Sequence, residues 1–133
     1  MSEENVEVVR RVWEHFVANG EPVDELVAPT YVLDLSTWRD WIGQQQYEGV
    51  AGIRAFLHDW TEGLDDWRVE IIAYRDAGDR VVTLGHQSGR SAHSGISVEQ
   101  LVAAVATVSN GLITRQEIYA EPAEALKAAG LEQ

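Results

Sequence analysis

Two side chains in the sequence have the chemistry to move a proton, Asp34 and His86. A carboxylate buried among aromatic rings has a raised pKa and can act as a base. An imidazole in a pocket can serve as a general base or as a hydrogen-bond donor to a ligand. Both roles depend on strand parity. Asp34 faces solvent if its neighbours Leu33 and Leu35 face inward. His86 likewise faces outward if the odd-numbered residues beside it face inward, but a bulge at Gly85 would turn the imidazole inward.

Two tryptophans, Trp38 and Trp41, lie three residues apart in the irregular segment 36–49. Large aromatic rings are rarely left in solvent without a partner or a ligand. We expect this loop at the mouth of a pocket, with Trp13 and Trp60 beneath it. Three interpretations stay open: the rings form a lid over a ligand, they plug the pocket, or they make a dimer contact.

Other polar residues offer weaker chemistry. Gln116 has inward parity on the last predicted strand, and Tyr119 lies near its end, so either could orient a ligand or simply be a satisfied core residue. The four histidines show no metal-ligand spacing, and we predict neither a metal site nor a cofactor. The sequence has no cysteine, which excludes disulfides and thiolate chemistry.

Length and charge narrow the class of protein. The chain has 133 residues, 45% of them hydrophobic, so we predict one domain spanning residues 1–133. A formal net charge of −12 repels phosphate backbones and anionic lipids, so nucleic acid and membranes are not expected partners. No signal-peptide pattern precedes the first helix, and we predict a cytoplasmic protein.

The order of apolar periodicities predicts helices first and then a long sheet. The Asn-Gly pair at 110–111 is a strong hairpin signal between the last two strands. The predicted helices cover residues 3–19, 50–64 and 121–130, and the predicted strands cover 30–35, 67–74, 80–90, 95–109 and 112–120. This order indicates an α+β fold, a curved and mostly antiparallel sheet wrapped by about three to four helices. Such a sheet forms a cone with a pocket inside it.

Several segments taken in order give the chain a family resemblance. They are "ENVEVVRRVWEHF", "YEGVAGIRAFLHDW", "DAGDRVVTLGHQSGR", "VATVSNGLITRQEIY" and "AEALKAAGL". The chain resembles the SnoaL-like branch of the nuclear transport factor 2-like superfamily, which has the ketosteroid-isomerase-like cone fold. That fold hosts isomerases, cyclases, epoxide hydrolases, dehydratases and non-catalytic binders, so the resemblance implies a fold and leaves the function open.

The resemblance can be tested position by position for isomerase chemistry. The positions that match the family's tyrosine donor, carboxylate base and protonated acid are occupied here by Trp13, Leu35 and Ala103. Neither leucine nor alanine can move a proton. The sequence therefore argues against isomerase activity.

We predict that the cone binds a small hydrophobic molecule, cyclic or aromatic in character. The predicted pocket residues are Trp13, Phe16, Tyr31, Leu33, Leu35, Trp38, Trp41, Phe56, Trp60, Leu101, Ala103, Val105, Gln116 and Tyr119. One alternative is a proton-transfer enzyme with Asp34 or His86 as the base, and another is a dimeric interaction module with a filled cone. A homodimer is expected through the outer sheet face, to which we assign Ile72, Val102, Ala104 and Ala106.

Overall fold

The computed structural model describes residues 2–21, 23–38 and 43–131. These described ranges contain three α-helices and six strands, with one short 3₁₀ turn at Asp24–Leu26. The helices are α1 (Ser2–Asn19), α2 (Gly49–Thr61) and α3 (Pro122–Ala128). The strands are β1 (Val27–Asp34), β2 (Gln46–Glu48), β3 (Leu64–Ala77), β4 (Arg80–Ser91), β5 (Ser97–Ser109) and β6 (Leu112–Tyr119).

All six strands belong to one mixed sheet with the order β2-β1-β6-β5-β4-β3. Its neighbouring strands run antiparallel except for β1 and β6, which are parallel. This architecture confirms the predicted α+β class, a curved sheet wrapped by helices. The short strand β2 was not predicted, because its three residues lie within the segment interpreted as a loop.

The helices α1 and α2 pack on the concave face of the sheet. Their apolar stripes place Val9 and Phe56 in the main core with the inward residues of β1, β4, β5 and β6. At the end of α1, Gly20 takes a positive φ of 76° and donates its N–H to the Phe16 carbonyl at 2.7 Å. This left-handed residue ends the helix, as the Asn19-Gly20 pair predicts.

The helix α3 covers part of the convex face, so this sheet has apolar residues on both sides. A second core under α3 contains Val82, Ala103, Val105, Tyr119 and Ala125. Because α3 buries these residues on the convex face, the strands beneath it lose the usual alternation between buried and exposed side chains. On β5 in particular, residues 103 to 106 are all buried.

The predicted parity of β5 was therefore wrong. Ala104 and Ala106 belong to the concave core, with Val102 packed against it, and do not form an outer face for dimer contacts. Conversely, Ala103 and Val105 lie under α3 and not in the cone. Both parities of this strand are apolar, so hydrophobic alternation could not tell the two faces apart.

The hairpin between β5 and β6 forms at Asn110 and Gly111, as predicted. Both residues have positive φ angles, 53° and 79°, which is typical of a two-residue hairpin turn. The register then shifts, because Val108 faces Ile113 while Thr107 faces Arg115. Thr114 is thus an extra residue, and the bulge changes the strand parity between the turn and Gln116.

A second bulge lies in β3 and not at Gly85. Ile71 pairs with Gly85 and Ala73 pairs with Leu84, so Ile72 is the extra residue. Gly85 keeps the regular β4 parity, and a Cβ built on it would lie 3.2 Å from the Glu70 carbonyl oxygen. The glycine therefore allows a close backbone approach and does not reverse the direction of His86.

Within the described ranges, no helix is long and apolar enough to cross a membrane. The same part of the chain has no group of three or more histidine, aspartate or glutamate side chains that could hold a metal ion.

Candidate functional site

The site lies between the two inner helices and the concave face of the sheet. We call it the interior cavity, and its volume is about 70 Å³. Its walls are almost entirely apolar, with one tyrosine and one glutamine. The lining residues are Val12, Trp13, Phe16, Tyr31, Leu33, Ile53, Phe56, Leu57, Gln116 and Ile118.

A second void of about 50 Å³ lies beside the interior cavity. The two share five lining residues, Trp13, Phe16, Phe56, Leu57 and Ile118. At its far end the second void reaches Trp60, Trp67 and Gln87. The two voids therefore form one apolar interior with a different polar side chain near each end.

Gln87 holds the two tryptophans at the second void. Its Oε1 accepts the indole N–H of Trp60 at 2.6 Å and that of Trp67 at 2.8 Å. Since an indole N–H can only donate, these two bonds fix the orientation of the amide. The Nε2 donates to the exposed Gln100 at a longer 3.4 Å. Gln87 is itself buried, with 7% of its surface exposed, and its amide oxygen fixes the positions of both indole rings.

Trp38 lies outside this pair and contacts Trp60 edge to face, with ring centroids 4.9 Å apart. Together with Trp67 they line an outer groove of about 190 Å³. Phe56 continues the array inward, 5.2 Å from Trp60. Trp38 thus contacts Trp60, an arrangement that fits both the lid and the plug interpretations. Trp41 lies outside the described residues.

The polar pair in the interior cavity is Tyr31 and Gln116. The tyrosine hydroxyl donates to Gln116 Oε1 at 3.2 Å across the parallel β1–β6 pair. Both side chains are buried, at 3% and 8% exposure. Desolvation raises the pKa of Tyr31 well above its ordinary value, so the hydroxyl keeps its proton.

Asp34 does not face the cavity. It follows Leu33, whose side chain lines the cavity, so its own side chain lies on the convex face. One carboxylate oxygen accepts the Ser36 N–H at 2.8 Å, and the other forms an ion pair with Arg115. Glu117 lies 3.5 Å from the same guanidinium. The prediction of Asp34 as a pocket base was therefore wrong, and the residue links a strand end to β6.

His86 also lies on the convex face, because Val81, Thr83 and Gln87 take the inward parity of β4. Its Nε2 is 3.4 Å from Glu99 at the surface. The prediction of His86 as a base in the cone was wrong for this reason. Tyr119, also predicted for the pocket, packs in the second core beneath α3.

The structure brings together six of the predicted pocket residues at the interior cavity. These are Trp13, Phe16, Tyr31, Leu33, Phe56 and Gln116. Trp60 lines the second void and Trp38 the outer groove. Leu35 is buried in the main core but is not among the lining residues, and Leu101 is 49% exposed.

Sequence reasoning missed several residues of the site. Ile53 and Leu57 line the interior cavity, and Trp67 and Gln87 line the second void, but none of the four is among the predicted pocket residues. Their inward parity was a usable signal for Trp67 and Gln87. The hydrogen bonds from Trp60 of α2 and Trp67 of β3 to Gln87 of β4 had no sequence signal, because they join residues from three different elements.

Comparison with known proteins shows the family to which the chain belongs. The model of the SnoaL-like domain matches residues 8–116, and the chain belongs to this family. No curated protein matches the chain.

Solved structures share the fold along nearly the whole chain. An NTF2-like protein from Burkholderia thailandensis is 24% identical, with a TM-score of 0.75 over 92% of this chain and 96% of that one. The protein TerC, co-crystallised with polyporic acid, is 19% identical, with a TM-score of 0.72 over 96% and 98%. A Jannaschia protein provisionally named a SnoaL-like polyketide cyclase is 19% identical, with a TM-score of 0.69 over 99% and 95%. At these identities the likeness shows the fold alone.

Proposed function

We propose that this protein binds a small, neutral, apolar cyclic molecule in the interior cavity. The observation that carries the proposal is the apolar cavity itself, which contains one hydrogen-bonded polar pair, Tyr31 and Gln116. Small-molecule sites typically have this composition, with mostly apolar walls and a few placed polar groups. The aromatic walls formed by Trp13, Phe16 and Phe56 suit a ring-shaped ligand.

The volumes set the size of the ligand. A cavity of roughly 150 Å³ accepts benzene. The two voids, about 70 and 50 Å³, together approach that size and share five lining residues. We therefore expect a single-ring ligand. A larger ligand would have to displace Trp60 from Gln87.

Binding without proton transfer suits the site better than the enzyme alternative. Among the described lining residues of the interior cavity, Tyr31 is the only side chain that titrates, and burial raises its pKa. A general base needs a pKa near the working pH. Proteins of the same fold include a provisionally named SnoaL-like polyketide cyclase and TerC, which was co-crystallised with polyporic acid. These relatives support a small-molecule site in this chain.

Replacing Leu57 by phenylalanine is expected to weaken ligand binding by about tenfold or more. Leu57 lines both voids, so the larger ring takes up the space that a ligand needs. The measurement is a ¹H–¹⁵N NMR titration with toluene and cyclohexanone, followed to saturation in the native protein and in the variant.

The matched control is Ala55→Phe, which adds a ring to the exposed side of the same helix. This variant should bind as the native protein does. Equal affinities in Leu57→Phe and the native protein, with both folded, would place the ligand elsewhere and contradict the proposal.

We also propose that the protein is a homodimer. Of the residues expected at the contact, Ile72 is exposed, at 60%, and on β5 the exposed Leu101, at 49%, takes the place of Ala104 and Ala106. Leu101 lies beside His86 on the convex face. Light scattering of the native protein and of Leu101→Glu tests this: the variant should be monomeric if the contact is correct, and an unchanged dimer would rule out this surface.

A further inference from the structure

We propose that the ligand of the interior cavity carries a neutral hydrogen-bond acceptor, such as a ketone or aldehyde carbonyl, and that Gln116 Nε2 donates to it. The inference rests on the proposed function and deepens it. It makes Gln116 the residue that determines specificity, and Tyr31 the positioning residue that sets the amide of Gln116.

The first step is the orientation of the amide. A glutamine side chain can turn either its oxygen or its nitrogen to a neighbour. In this structure Oε1 lies 3.2 Å from the hydroxyl of Tyr31 and accepts a hydrogen bond from it. Burial raises the pKa of Tyr31, so the hydroxyl keeps the proton that it donates.

The second step is the donor that remains. Gln116 is 8% exposed and lines the cavity, yet none of its hydrogen bonds within the described residues uses Nε2. Nε2 is not among the described side-chain atoms that are fully buried without a partner, so it keeps accessible surface. It is therefore a donor that a ligand acceptor in the cavity can reach.

The third step is the charge of the ligand. No arginine, lysine or histidine is among the described lining residues of the cavity, and no aspartate or glutamate is. A carboxylate or an ammonium group would therefore be buried without an opposite charge, which is strongly unfavourable. The ligand that fits this cavity is therefore an apolar ring with a neutral hydrogen-bond acceptor.

The experiment compares three ligands of similar shape by NMR titration. They are cyclohexanone, methylenecyclohexane, in which a CH₂ group replaces the carbonyl oxygen, and cyclohexanecarboxylate. We expect the native protein to prefer the ketone over the alkene by about threefold to tenfold, the range of one net hydrogen bond. The carboxylate should bind at least tenfold more weakly than the ketone.

Two variants identify the donor. Gln116→Met keeps the approximate length of the side chain and removes the amide, so the ratio of ketone affinity to alkene affinity should fall to about one, whatever the absolute affinities are. Tyr31→Phe frees the amide to rotate and should reduce that preference without abolishing alkene binding. For each variant, the ratio of ketone affinity to alkene affinity is interpreted only if its NMR spectrum shows that the protein is folded.

The outcomes separate this inference from the proposed function. Equal binding of ketone and alkene by the native protein overturns the carbonyl inference and leaves apolar ring binding in place. A preference that survives in Gln116→Met assigns it to another donor and overturns the role of Gln116. Tight binding of the carboxylate overturns the neutral class. Binding of none of the three overturns both proposals.

Discussion

Replacing Gln87 by leucine is expected to lower the free energy of unfolding by about 2–4 kcal/mol. The substitution removes the oxygen that accepts both indole N–H groups, at 2.6 and 2.8 Å from Trp60 and Trp67. Each donor left unpaired in a partly buried position costs roughly 1–3 kcal/mol. Urea unfolding followed by tryptophan fluorescence measures this loss.

The matched control is Gln100→Leu, the same change at the residue paired with Gln87 on β5. Gln100 is exposed and accepts only the 3.4 Å bond, so its replacement should cost less than about 0.5 kcal/mol. A similar loss in both variants would mean that the indole bonds contribute little. Trp60 would then be held by packing against Phe56 and Trp38.

Replacing Asp34 by alanine is expected to destabilise the protein by about 2 kcal/mol and to leave ligand affinity unchanged. The carboxylate is 10% exposed, caps the Ser36 N–H and pairs with Arg115. A fully buried pair would cost more, but Arg115 is 38% exposed and keeps Glu117 as a neighbour. Calorimetry of the variant, with an NMR titration beside it, measures both quantities.

Asp66→Ala is the control for this prediction. Asp66 pairs with Arg90 at the surface, with side-chain exposures of 61% and 57%, and exposed pairs contribute at most about 1 kcal/mol. Loss of ligand binding in Asp34→Ala with stability retained would reverse the conclusion. It would restore Asp34 as a functional residue of the site.

The sequence was sufficient for the fold because several local signals agreed. The stripe on α1, the Asn-Gly hairpin and the order of the segments all indicated the same architecture. The detail it could not supply was the parity of β5. That strand is apolar on both faces because α3 covers Ala103 and Val105 from outside, and the extra residue Thr114 shifts the register after the turn.

The candidate site was predictable where the periodicity of a helix or strand shows which side chains face inward. Trp13, Phe16 and Phe56 lie on helix stripes, and Tyr31 and Leu33 alternate on β1, so their inward positions followed from periodicity. The predicted bases were wrong because they were chosen for their side-chain chemistry, whereas the strand alternation directs both side chains away from the cavity. Asp34 and His86 both lie on the opposite face from the cavity.

The most direct test of the central claim is a ¹H–¹⁵N NMR titration of the native protein with cyclohexanone, with every backbone and indole resonance assigned. We expect saturable shifts at the Trp13 indole and at residues of α1, α2 and β6 that line the interior cavity, with the surface around His86 unaffected. An absence of saturable shifts, or shifts confined to the convex face, would contradict it.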